Sequence, residues 1–309
     1  MGADAGLRAH LTPSVAVIVN PVAGARGVRA GRERRALVEG ILAAHRVEGT
    51  VRLTESRGHA LELARAAVAA RVDLVCAWGG DGTVNEVARA VVGTGTALGV
   101  VPAGSGNGLA RELGLPRDPS LAFRVALGRR ERVIDVGDVD GRLFVNLAGV
   151  GLDAHVAECF DARWARGARR RGFWPYVAIG AREILRYRAR EYTIRIGDQT
   201  WREPALLVVC ANARQYGGGA VVAPVARLDD GQLDLVVVAP RPPLLAMRDA
   251  LHLFRGTLDR APGVRTARMP AVEIAGPDPI PFHVDGEVVT GGPILTVRVR
   301  PAALRVRVP

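Results

Sequence analysis

Gly79-Gly80-Asp81-Gly82-Thr83 sets one carboxylate among three glycines, directly after the apolar run Leu74 to Trp78. Residues without a Cβ let an anion come close to the backbone N–H groups, and a helix opening here would aim its positive end at the same place. Phosphoryl transfer needs such donors, a cation to offset charge, and a carboxylate that holds the cation or takes the proton of an attacking hydroxyl. Asp81 can serve in either role. Thr83-Val84-Asn85-Glu86 has capping-box spacing, which predicts a helix from Thr83 to about Val92.

Four other segments carry chemistry in their residue types. Asn20-Pro21-Val22-Ala23-Gly24 ends an apolar run and could bend against a nucleotide, although an Asn-Pro turn explains it equally. Gly104-Ser105-Gly106-Asn107-Gly108 does not satisfy G-x-G-x-x-G and follows a late strand, so it suits a second phosphate or ribose contact. Near the C-terminus, Asp285 and Glu287 stand one residue apart. In an extended segment both would face one way and could share a proton or complete a metal site, whereas a polar hairpin turn is the alternative. Arg227 to Asp234 gathers Asp229, Asp230 and Asp234 around a Gly turn. Oxygen-rich loops of this kind hold Mg²⁺ or Ca²⁺, but the spacing is not that of an EF-hand and a solvated turn fits as well.

These residues need a scaffold, and the pattern supplies one. Strand-like runs at Ser14 to Asn20, Thr50 to Leu53, Leu74 to Trp78 and Ala97 to Val101 alternate with helical stretches at Arg32 to Ala44, Gly58 to Ala70 and Leu109 to Leu113. Such alternation predicts a parallel sheet whose Gly- and Asn-rich turns fall at one end, where open α/β sheets bind ligands. After about Asp138 the texture becomes β-rich, with runs at Leu143 to Ala148, Tyr192 to Ile196, Leu206 to Ala211, Leu233 to Val238, Val272 to Ile274 and Ile294 to Val299. The expected fold is therefore a three-layer α/β nucleotide-binding domain at residues 1–138 and an antiparallel β-sandwich-like domain at 139–299, with a strand near 300–309 free to return to the first. Asp161 to Arg190 interrupts this texture as a helical, basic and aromatic stretch.

Composition narrows the chemistry. The formal net charge is +11, and all 42 basic residues are Arg. Without Lys, neither a Walker-A phosphate loop nor Schiff-base catalysis is available. The arginine excess favours anionic partners, yet no basic stripe with stacking aromatics argues for specific nucleic-acid binding. Cys76, Cys159 and Cys210 are widely spaced, as buried thiols of a reducing compartment would be. The N-terminus lacks a secretory pattern, and no run reaches the roughly 18 apolar residues a membrane span requires. A cytoplasmic protein with peripheral membrane contact is expected.

Taken together, the motifs resemble the diacylglycerol kinase catalytic family, which includes sphingosine and ceramide kinases. In the family's order stand NPVAG at 20–24, TESRGHA at 54–60, GGDGTVNEV at 79–87, PAGSGNGLA at 102–110, IDVG at 134–137, NLAGVGLDA at 146–154, YGGGAVVAPVARLDDGQLDL at 216–235 and VDGE at 284–287. The resemblance implies an ATP- and Mg²⁺-dependent kinase of a lipid. It implies that Asn20, Pro21, Gly24, Thr54, Gly79, Gly80, Asp81, Gly82, Thr83, Asn85 and Ser105 surround ATP. It makes Glu287, supported by Asp285, a rival of Asp81 as proton acceptor, and gives a structural Mg²⁺ to Arg227 (carbonyl), Asp230 and Gln232 (carbonyl). Asn107 and Asp153 would meet the lipid. Gly108 stands where bacterial diacylglycerol-kinase-like members commonly have Asp, which leans toward the sphingoid branch, while Asp153 occurs in both. Within Asp161 to Arg190, Arg163, Arg166 and Arg169 to Arg171 beside Trp164, Phe173, Trp174 and Tyr176 suit an anionic membrane surface. A homodimer stays open. The competing readings are a kinase of soluble NAD or sugar phosphate, and a non-catalytic protein that binds anionic lipid or nucleic acid.

Overall fold

The computed structural model describes residues 14–24, 28–165, 173–276 and 279–309. The chain begins with β1 (Val15–Val19), α1 (Val28–Ala44), β2 (Gly49–Leu53), α2 (His59–Ala69), β3 (Leu74–Gly79), α3 (Asp81–Val91), β4 (Ala97–Pro102), α4 (Gly108–Glu112) and α5 (Pro119–Ala126). It continues with β5 (Glu131–Val139), β6 (Arg142–Phe144), β7 (Leu147–Gly151), α6 (Leu152–Ala165), α7 (Phe173–Ile184), β8 (Arg190–Ile196), β9 (Gln199–Ala205), β10 (Leu207–Ala211) and β11 (Leu233–Val238). After α8 (Pro243–Asp249) and α9 (Leu251–Arg255) come β12 (Val264–Met269), β13 (Ala271–Ala275), β14 (Ile280–Val284), β15 (Glu287–Gly291) and β16 (Ile294–Arg307).

Two compact units result. The first takes the chain up to Ala103, Leu115–Arg132 and the last residues from Arg305; the second takes Gly104–Gly114 and Val133–Leu304. In the first unit β1 to β4 are parallel in the order β2-β1-β3-β4. Every residue of β1, β3 and β4 is buried, which is why these strands read as unbroken apolar runs instead of alternating ones. Trp78 meets the edge of Phe123 at 5.4 Å, in a core shared with Val17, Val38 and Val101. The end of β16 joins this unit: Val306 pairs in parallel with Leu98, Val308 N–H donates to the Arg130 carbonyl, and Arg305 and Arg307 both meet Glu131.

The second unit is antiparallel. One sheet runs β12-β11-β10-β7-β14-β15; β16, β13, β8 and β9 pair in that order, and β5 pairs with β6 and β16. Tyr192, Ile194, Cys210, Leu235, Ile274, Phe282 and Leu295 fill the core of this sandwich. The run expected at Leu143 to Ala148 is broken between β6 and β7 at Val145 and Asn146. The helical excursion starts at Leu152 instead of Asp161, because Leu152, Val156 and Ile179 bury a stripe against Leu206. Tyr176, assigned above to a membrane face, instead packs against Phe160 at 5.5 Å. Arg166 and Arg169 to Arg171 lie outside the described residues, as do the side chains of Trp164, Phe173 and Trp174. Among the described residues no helix is long and apolar enough to cross a membrane.

Candidate active site

In the first unit the strand order puts β1 between β2 and β3, so the connections leave β1 and β3 in opposite directions. The crevice outside the carboxyl ends of two such strands is where open α/β sheets take ligands. Asn20 follows β1, Thr54 follows β2, and Gly80 to Thr83 follow β3. Asn20 Nδ2 donates to Thr83 Oγ1 (3.1 Å), while its Oδ1 accepts from Val22 N–H (3.0 Å). This one side chain therefore fixes both loops. Thr54 is buried and its N–H donates to the Val19 carbonyl. Gly24 has φ +66°, and a Cβ there would lie 2.3 Å from the Ala103 carbonyl oxygen, so packing alone demands this glycine.

Helix α3 does not begin as the capping box predicted. It starts at Asp81 with Gly80 as N-cap, and Thr83 and Asn85 are buried within it. Glu86 reaches instead to α2, where its two carboxylate oxygens accept from Gly58 N–H (3.0 Å) and Ala60 N–H (3.1 Å). The reason is local: Gly58 is the N-cap of α2 and has no side chain to satisfy those donors. Asp81 and Gly82 thus occupy the first turn of α3, whose N–H groups have no intrahelical acceptor. Nothing lies within 4 Å of where a Gly82 Cβ would be. Protein packing does not require glycine there, and Gly82 is exposed in the first turn of α3, where an anion binds best.

Arg34, which sequence reasoning passed over, holds this end of the unit together. Its guanidinium donates to the carbonyls of Asn20 (2.6 Å) and Ala23 (2.5 Å) and lies 5.0 Å from the Trp78 ring centroid. Burial lowers its pKa from the usual arginine value.

The second unit holds Ser105, Asn107, Asp153, Asp285 and Glu287. Ser105 is exposed. Asn107 is in the left-handed region (φ +51°), and its amide bonds the Gly104 backbone in both directions, accepting at 2.9 Å and donating at 2.7 Å. Gly108 is crowded by Asn146 Oδ1 and the Tyr216 carbonyl, each 3.2 Å from a would-be Cβ. Its small size therefore has a packing cause, which removes the lean toward a sphingoid acceptor.

Asp153 is buried at the start of α6, and its Oδ2 meets Tyr216 Oη (2.8 Å) and His283 Nε2 (2.6 Å). Burial, then the Asp153 charge, push the Tyr216 phenol well above its usual range, so it stays a donor. For His283 burial works to lower the pKa, but Asp153 and Asp285 more than reverse this and it is raised. Gly286 N–H donates to His283 Nδ1 (3.2 Å), which leaves Nε2 as the nitrogen that faces Asp153 in an ion pair without a well-directed hydrogen bond.

Asp285 and Glu287 do not share an extended segment. Val284 pairs with Glu287, so Asp285 and Gly286, at φ +46° and +83°, form a two-residue hairpin turn. The Asp285 carboxylate accepts from the N–H groups of Val145 (2.8 Å), Asn146 (2.9 Å) and Leu147 (3.0 Å). These bonds account for the interruption between β6 and β7, and give Asp285 a structural task. Glu287, half-buried at the start of β15, remains the candidate proton acceptor.

The Asp-Gly turn near residue 230 meets its charge within the protein. Asp230 Oδ1 accepts from Gln232 N–H (3.1 Å) and its Oδ2 faces the Arg268 guanidinium, while Arg227 faces Asp229 at 3.8 Å. The guanidinium on the Asp230 carboxylate would have to move before this side chain could join the Arg227 and Gln232 carbonyls in the oxygen-rich shell of Mg²⁺. Asp135 ties the turn down, accepting from Gly231 and Ala302 N–H groups (2.7 Å each). Elsewhere His155 Nε2 lies 3.1 Å from Glu183 and 3.6 Å from Cys159 Sγ, a grouping of metal-ligand type with no counterpart in the sequence reading.

This geometry has relatives. Residues 14–139 match the diacylglycerol kinase catalytic domain, and residues 146–308 match the YegS C-terminal NAD kinase beta sandwich-like domain. The chain belongs to the diacylglycerol kinase catalytic-domain family, in its YegS-like branch. A protein of Pseudomonas aeruginosa PAO1 named "Probable lipid kinase YegS-like" is 34% identical over 294 residues, 92% of each chain. One of the same name from Chromohalobacter salexigens is 34% identical over 241 residues, 77% of this chain and 76% of its own. A crystal structure of a diacylglycerol kinase from Bacillus anthracis str. Sterne covers 96% of this chain and 97% of its own with TM-score 0.72 at 19% identity, a likeness of fold. The protein is a kinase, with ATP as the family's phosphate donor and a lipid-like acceptor.

Proposed function

We propose that this kinase transfers the γ-phosphate of ATP to the hydroxyl of a neutral, diacylglycerol-like lipid. The exposed, side-chain-free position of Gly82 in the first turn of α3, next to Asp81, carries the reading. There the N–H groups of the first helical turn would receive phosphate oxygens, and Asp81 would hold the Mg²⁺ that arrives with the nucleotide. Asn20, Thr54 and Thr83 line the same strand ends, and Arg34 keeps the Asn20 loop in place. The acceptor hydroxyl gives its proton to a carboxylate, Asp81 and Glu287 being the two candidates, as its oxygen bonds to the γ-phosphorus. The bond to the β-phosphate oxygen breaks and ADP leaves.

A neutral acceptor is favoured over a cationic sphingoid one by the surroundings of Asp153. Its Oδ2 already meets His283 and Tyr216, so the buried charge has donors without a substrate amine. The test is radiolabelled transfer from ATP to a bacterial lipid extract, with NAD and sugar phosphates as parallel acceptors. Label is expected in one neutral-lipid product, and Asp81→Ala should lower the rate by at least about a hundredfold. Label in NAD or sugar phosphate and none in lipid would overturn the proposal.

A further inference from the structure

Helices α8 and α9 are joined through Ala250, whose φ of −59° and ψ of −20° keep the chain helical, and Gly256 ends the run in the left-handed conformation. Along this stretch Leu244, Met247, Arg248, Leu251, Phe254 and Arg255 recur at intervals of three and four residues and share one face. That face points outward. Leu244 is 79% exposed, Met247 38%, Leu251 48% and Phe254 46%.

A surface helix normally turns its apolar residues inward, and this one cannot roll to do so because its other face is committed. Asp249 is buried and meets Arg241 (3.3 Å) and Arg248 (3.4 Å). The Leu253 carbonyl accepts from Val221 N–H (2.8 Å), and its side chain packs on the cluster that holds Leu147 and Val209. His252 Nδ1 lies 2.8 Å from Thr257 Oγ1. Four large apolar side chains in one stripe are thus held in water by design of the inner face, and such stripes mark contact surfaces.

The charges on the outer face choose the partner. Both are arginines, of which Arg248 also reaches back to Asp249 while Arg255 is exposed, and the one acidic residue of the stretch, Asp249, is on the buried side. A narrow stripe of Leu, Met and Phe edged by Arg matches the boundary of a bilayer with anionic headgroups, where the apolar side chains enter the acyl edge and the guanidiniums remain at the phosphates.

We propose that the exposed face of α8 and α9 is the surface on which this kinase rests on an anionic lipid bilayer. The inference builds on the lipid-kinase reading, since a two-chain acceptor resides in a membrane, but its test needs no turnover. The full-length protein is sedimented, without nucleotide, with phosphatidylcholine vesicles with and without phosphatidylglycerol. Partitioning is expected to require phosphatidylglycerol and to fall at least about tenfold in Leu244→Ser/Leu251→Ser. Arg255→Gln should weaken it less, and mainly at low salt. Unchanged thermal melting shows that the variants fold, and retained phosphorylation of a short-chain, monomeric diacylglycerol shows that the catalytic machinery is intact. In Leu251→Trp, fluorescence should shift to the blue on binding vesicles. Undiminished partitioning of the double serine variant, or an unshifted tryptophan, overturns the proposal whatever the acceptor proves to be. A wild-type dimer that the serine substitutions make monomeric, with vesicle binding unaltered, assigns the face to a second copy and also overturns it.

Discussion

At the scale of single residues, two neighbouring carboxylates that look alike in sequence have separable tasks. Asp285 holds three N–H groups from a segment some 140 positions earlier, as its bonds to Val145 and Asn146 show. Asn tolerates the positive φ of this turn, so Asp285→Asn changes the acceptor while sparing the backbone. It should cost about 1–3 kcal/mol by urea denaturation, because one N–H is left facing an amide. Glu287→Gln should lower kcat and cost less stability than Asp285→Asn. The reverse pattern would exchange their roles. Asp234 gives a pH signature. Burial pushes its carboxyl up to about 6, helped by Asp230 and opposed by Arg268. A raised carboxyl favours the folded state below its unfolded value near 3.8, and that contribution is lost as pH rises through about 6. Between about pH 4 and pH 8 the stability curve should therefore fall less steeply in Asp234→Asn than in the parent.

Among elements, the least foreseeable contact is the best tested by mutation. Glu86→Ala removes the acceptor for two N–H groups of α2 and should destabilise the fold by about 1–3 kcal/mol in thermal or urea unfolding. Glu86→Gln, with one oxygen left, should lie between. No loss in either would mean that water caps α2 equally well. The parallel strands were legible in sequence because burial on both faces writes itself as an unbroken apolar run, as in Leu74 to Trp78. The antiparallel strands β9, β12 and β14 were not, since QTWREPA and VRTARM alternate with charged residues and IPFHV carries a proline. The start of α3 was misread for a related reason. Thr83 and Glu86 have the spacing of a local cap, and nothing in the sequence says that Gly58, 28 positions earlier, lacks one. The glycines and carboxylates of the candidate site were visible as types, whereas Arg34, Tyr216 and His283 gain meaning from partners brought to them by the fold.

Over the whole molecule, the two units draw on segments far apart in sequence. The last residues from Arg305 belong to the first unit, where Val306 is fully buried beside Leu98 and Glu131 meets two arginines. Ending the chain after Leu304 should destabilise that unit by roughly 3 kcal/mol or more, through lost burial and strand pairing. The measurement is the shift in melting temperature produced by ATP, which should shrink or vanish; a full shift in the shortened chain would show the tail to be dispensable. The arrangement also bears on synthesis. Strands β1 to β4 leave the ribosome early, yet the flank of β4 stays uncovered until Val306 has been added. The sheet of the first unit is therefore completed only after the strands of the second unit have been made.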